Sequence, residues 1–88
     1  MYRNNNCIML TVIGYTPTTT RDSWGYEVPG FRIYGTTFDD NVHGTKATSF
    51  CIDTDEMFSV VQHPDDLIGR VLGRTRRINR HRKVFLAG

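Results

Sequence analysis

Only one stretch of this chain has the pattern of a helix. Asp53 is followed three residues later by Glu56, and Met57, Val60 and Val61 then fall at i, i+3 and i+4. The first pair can satisfy the opening N–H groups of a helix reciprocally, and the apolar stripe gives that helix one face to bury. Pro64 cannot continue it, so the spacing predicts a helix within Asp53–Gln62, about two to three turns long. The remainder must fold as strands and turns.

The strand signals are short and separated by turn residues. Ile8, Met9, Leu10, Thr11, Val12 and Ile13 form a β-branched, apolar run ended by Gly14 and Pro17, which predicts strand 1 over Cys7–Tyr15. Thr16 to Trp24 collects Pro17, four threonines, Asp22 and Ser23, and is expected to be a polar loop or irregular hairpin arm. From Tyr26 to Phe38 the residues alternate, with Phe31, Ile33, Gly35 and Thr37 on one face and Arg32, Tyr34, Thr36 and Phe38 on the other. Asp39-Asp40-Asn41 with Gly44 marks a turn, and Lys46–Ile52 returns as strand 3 of an antiparallel hairpin. After the helix, Asp65-Asp66 marks a turn and Leu67–Ile78 is read as an extended strand 4. A hairpin tip at Asn79-Arg80-His81 leads to strand 5 over Arg82–Leu86.

Three strands, a short helix and two strands in 88 residues predict one mainly β domain, 1–88, with residues 1–6 as a loose lead-in. The order matches a small five-stranded, OB-like barrel with its helix between strands 3 and 4. At 39% hydrophobic and 23% charged residues the composition is that of a folded chain. The longest uncharged apolar stretch, Ile8–Ile13, is about a third of a bilayer span, so no membrane partner and a cytoplasmic location are expected. Cys7 and Cys51 are expected to be reduced thiols.

Charge supplies the functional signal. Residues 1–66 carry four basic and nine acidic side chains, whereas residues 67–88 carry seven basic ones, Arg70, Arg74, Arg76, Arg77, Arg80, Arg82 and Lys83, and no acid. Crowded cations attract polyanions, phosphate backbones above all. Along strand 4, Arg70, Leu72, Arg74, Arg76 and Ile78 share one parity while Val71, Gly73, Thr75 and Arg77 take the other, so three arginines could follow successive phosphates. Single-strand binding also needs flat rings for bases. Tyr34 and Phe38 beside Arg32 fit that need, and Trp24 and Tyr26 could cover a bound strand.

Metal and catalytic signals are absent at the level of spacing. His43, His63 and His81 are far apart in sequence, Cys7 and Cys51 stand alone, and no nucleophile has a base at a recognisable interval. Neither a metal nor a cofactor is expected. In length, strand order and basic-aromatic composition the chain resembles the small single-stranded DNA-binding proteins of filamentous phages and other mobile elements. That resemblance implies a β-barrel homodimer coating single strands, with Tyr34, Phe38, Arg32, Arg74, Arg76 and Arg80 as the matching residues. The helix and the C-terminal charge depart from that pattern. The expectation is a non-enzymatic module binding single-stranded DNA or RNA; the alternative is a protein-interaction module that docks on an acidic partner or through a strand edge.

Overall fold

The computed structural model describes residues 7–39, 44–76 and 82–87. They form β1 (Cys7–Arg21), β2 (Glu27–Asp39), β3 (Gly44–Asp53), α1 (Thr54–Val60), a single 3-10 turn (Pro64–Leu67), β4 (Val71–Thr75) and β5 (Val84–Ala87). All strand pairs are antiparallel, in one sheet of order β3-β2-β1-β4-β5. The architecture is therefore mainly β, with one short α-helix between β3 and β4. The lead-in 1–6, the turn at Asp40-Asn41, Arg77, Ile78 and the tip Asn79-Arg80-His81 lie outside the described residues.

The sheet is not closed into a barrel. β3 and β5 are its two edges, and no ladder joins them. Helix α1 packs against β2, β3 and β5. Guanidinium groups, not strand amides, meet the carbonyl of Cys51 on β3.

Helix α1 forms where the pattern puts it. The Asp53 carboxylate accepts the Glu56 N–H at 2.7 Å, and the Asp53 N–H donates to Glu56 Oε1 at 2.9 Å. Both opening donors are satisfied locally, which offsets the nucleation cost of so short a helix. It buries Met57 completely against the sheet.

Strand β1 departs from expectation. It runs through Gly14 and Pro17 to Arg21, so Thr16 to Arg21, read from sequence as a polar loop or irregular hairpin arm, is a regular hairpin arm paired with β2. Two features permit this. A register shift between Val12 and Gly14 adds one residue, a bulge that bends the strand without ending it. Strand β4 covers only Cys7 to Thr11 of β1, so Pro17 lies where the sheet is an edge and its missing N–H need break no ladder bond. Strand 4 is shorter than expected: Leu67 belongs to the 3-10 turn, where it is fully buried, and pairing begins at Val71.

Leu10, Val12, Ile33, Phe50, Ile52, Met57, Val61, Leu67 and Leu72 make the core, with Phe31, Val84 and Leu86 packed against it. The inner face of the sheet is the one that α1 covers. Its centre needs a glycine: a Cβ on Gly35 would lie 2.0 Å from the carbonyl oxygen of Thr11 on the neighbouring strand. Gly14 meets nothing within 4 Å. Gly35→Ala is expected to lower unfolding free energy by about 2–3 kcal/mol, read from the urea midpoint, because backbone must move. Gly14→Ala should stay within about 0.5 kcal/mol of wild type.

Candidate nucleic-acid interface

The late arginines do not act as one exposed group. Arg82, just before β5, donates from Nε to Glu56 Oε2 at 2.7 Å and from Nη2 to Glu56 Oε1 at 2.8 Å. The two side chains are only 13% and 16% exposed. Arg82 Nη2 also reaches the Cys51 carbonyl at 3.3 Å, and Arg74 Nη1 donates to the same oxygen at 3.0 Å. The Arg74 guanidinium lies 4.5 Å from the centroid of the Phe50 ring, a cation–π contact over a core residue. The strand-4 parity is as read from sequence, but Arg74 shares it with buried Leu72. The side expected to face phosphate therefore turns toward the core.

Burial works to raise the Glu56 pKa, but the Arg82 hydrogen bonds, the Asp53 N–H and the charges of Arg82 and Arg74 outweigh it and hold the carboxyl below its ordinary value. For Arg82 the hydrogen bond to Glu56 leads, outweighs desolvation and raises the pKa. Elsewhere, the Tyr15 hydroxyl donates to Asp65 Oδ1 at 2.5 Å, and this bond keeps the phenol protonated above its ordinary range.

Arg32, Arg70, Arg76 and Lys83 are exposed, whereas Arg77 and Arg80 lie outside the described residues. Strand register places two of these cations on the outer face of the sheet, opposite the core. Arg32 stands there between Thr16 on β1 and Cys51 on β3. Lys83 precedes Val84 of β5, pairs through its backbone with Thr75, and alternates with Phe85 on that side.

The same face holds the rings. Tyr34 is 40% and Phe38 65% exposed. Tyr34 has Gly14 and Ser49 as cross-strand partners, and Phe38 has Thr45, so the rings rise beside small side chains. The β1 bulge puts Ile13, 66% exposed, next in line to Gly14 opposite Tyr34. Phe85 lies across Gly73, whose absent Cβ leaves room for the ring.

The outer-face ladder positions carry one acidic residue, Asp53, opposite Gly30 at the end of β3. The other positions are Cys7, Met9, Thr11, Gly14, Thr16, Thr18 and Thr20 on β1, with even-numbered Val28 to Phe38 on β2. Odd-numbered Thr45 to Cys51 on β3, Val71, Gly73 and Thr75 on β4, and Phe85 and Ala87 on β5 complete them. Asp53 follows at the end of β3, but its carboxylate is turned into the helix cap. Trp24 and Tyr26, at the β1–β2 tip, are 67% and 70% exposed.

The sequence singled out Arg32, Tyr34, Phe38, Trp24 and Lys83, but not how few acids the outer face as a whole would carry. That signal was present in the alternation of each strand; only the register could combine the strands. Among the described residues no three His, Cys, Asp or Glu side chains converge as metal ligands. Cys7 and Cys51 are not joined in a disulfide, and no described helix is long and apolar enough to cross a membrane. No family model matches the chain, and neither curated proteins nor solved structures give a significant match.

Arg82→Ala leaves Glu56 largely buried without its cation and is expected to cost about 2–3 kcal/mol, measured by urea or thermal unfolding. Wild-type stability from this pair is complete above the unfolded Glu56 pKa of 4.5 and is lost as pH falls through the lower folded value. Melting scans between pH 7 and 3 should show that loss in wild type and a smaller one in Arg82→Ala.

Proposed function

We propose that this protein binds single-stranded nucleic acid, DNA or RNA, across the outer face of its sheet, without catalysis and with little sequence preference. One observation carries the reading: an uncovered sheet face presents Arg32, Lys83 and the exposed rings of Tyr34 and Phe38, while its one acidic ladder residue, Asp53, turns its carboxylate into the helix cap. Cations there attract phosphates. Rings beside small neighbours can accept unpaired bases, which a duplex keeps stacked and out of reach.

The strand order, with the helix between β3 and β4, supports an OB-like half-barrel whose seam is bridged by side chains. In this reading Arg74 and Arg82 hold the seam, and Arg32, Lys83, Arg70 and Arg76 supply the field. The likeness to phage single-stranded DNA-binding proteins is consistent with this surface, and a homodimer would extend it.

A protein-interaction module is the second reading, favoured by Met9 and Ile13 on the same face, 36% and 66% exposed. There binding would survive loss of Tyr34 and be absent with oligonucleotides.

Anisotropy titration with oligo-dT, oligo-U and duplex at several salt concentrations tests the proposal. Log K should fall steeply with log salt, and Arg32→Ala and Lys83→Ala should each lower the slope by about 0.7. Tyr34→Ala should weaken single-strand binding by about 1–3 kcal/mol with the slope unchanged. A flat salt response, or equal affinity for duplex, contradicts the proposal.

A further inference from the structure

The hairpin between β1 and β2 ends in a constructed tip. Asp22 Oδ1 accepts two backbone donors, the N–H of Trp24 at 2.9 Å and that of Tyr26 at 3.0 Å. The Asp22 carbonyl accepts the Gly25 N–H at 3.1 Å, and the Asp22 N–H donates to the Tyr26 carbonyl at 3.0 Å. Arg21 Nη1 donates to the Gly25 carbonyl at 2.8 Å. Gly25 has φ +88°, a conformation that favours glycine. Five hydrogen bonds thus hold the backbone from which the two large, solvent-facing rings project. Two N–H groups engage Oδ1 of Asp22, whose carboxylate keeps its charge.

Position along the strand ties the tip to the outer face. Tyr26 continues the alternation of Val28, Arg32, Tyr34 and Phe38, while Glu27 belongs to the opposite alternation, in register with Arg21. Tyr34 and Phe38 are four residues apart, roughly 14 Å, and Tyr26 lies twelve residues from Phe38, roughly 40 Å along the strand. Gly30 interrupts the series at its middle: a Cβ there would lie 2.3 Å from the Ile52 carbonyl, so no ring could be placed at that position.

Resting on the nucleic-acid reading, we infer that the tip is a second base-stacking station, built from Tyr26 and Trp24 and positioned by Asp22, that engages the far end of a long single strand. A short strand is held at Tyr34 and Phe38, and a longer one reaches the tip. The footprint then falls in the upper part of the range of about 4–16 nucleotides found for small barrels.

The chain's only tryptophan is Trp24, so its emission reports the tip alone. Binding of dT15 should quench or shift that emission. Tyr26→Ala should weaken dT15 about tenfold and change dT5 affinity less than twofold. Asp22→Ala should raise the rotational freedom of Trp24 in the free protein and lose dT15 affinity to a similar degree, with the melting temperature little changed. Asp22→Asn, which keeps an acceptor oxygen, should restore both.

If dT15 binds with the expected salt slope, yet Trp24 emission is unmoved and Tyr26→Ala equals wild type at both lengths, the tip inference is overturned and the outer-face reading stands. If neither oligomer binds wild type, both are overturned. Equal losses for dT5 and dT15 in Tyr26→Ala also overturn the inference, since the tip would then not be a separate station.

Discussion

The carboxylate of Glu56 joins three parts of this fold. It closes the cap of α1 through the Asp53 N–H, and it accepts both arms of the Arg82 guanidinium from the lead into β5. Arg82 in turn reaches the Cys51 carbonyl on β3. An open sheet with two edges and one short helix has few other means of keeping those edges in place. Losing either partner costs more here than at a surface, because the other would stay mostly removed from water with its charge unmatched.

Use of cations between α1, β3 and β5 changes how the charge pattern is to be understood. A dense run of arginines is an attractive phosphate track only while each guanidinium is free to meet a phosphate. Arg82 is committed to a carboxylate, and Arg74 to a carbonyl and a ring face. What remains is a more dispersed set of exposed cations, two of them on a sheet face whose one acidic ladder residue, Asp53, is engaged in the helix cap. Asp53, Asp65 and Asp22 each accept a hydrogen bond, at the helix cap, the 3-10 turn and the hairpin tip, and Glu27 lies on the opposite alternation of β2. Segregating acids in this way leaves the outer face electrostatically permissive without a large excess of positive charge.

Several features were legible because their causes are local. The reciprocal cap of Asp53 and Glu56 involves residues three apart, and the alternation from Phe31 to Phe38 correctly separated buried Ile33 from exposed Tyr34. The end of β1 was not legible. Threonines, Pro17 and Gly14 speak for a turn when taken alone, yet pairing with β2 holds Thr16 to Arg21 extended, and a one-residue bulge absorbs the mismatch.

Composition and alternation determined by themselves that this chain is mainly β, where its one helix lies and which side chains share a strand face. Those properties depend on neighbours a few residues away. Tertiary structure decided which face of strand 4 turns inward, that Arg82 would meet Glu56 across 26 residues, and that the acid-poor sides of five strands would form one surface. Parity is written in the chain, but the side of a sheet that becomes core is chosen only when the helix packs on it and buries one set of side chains from water.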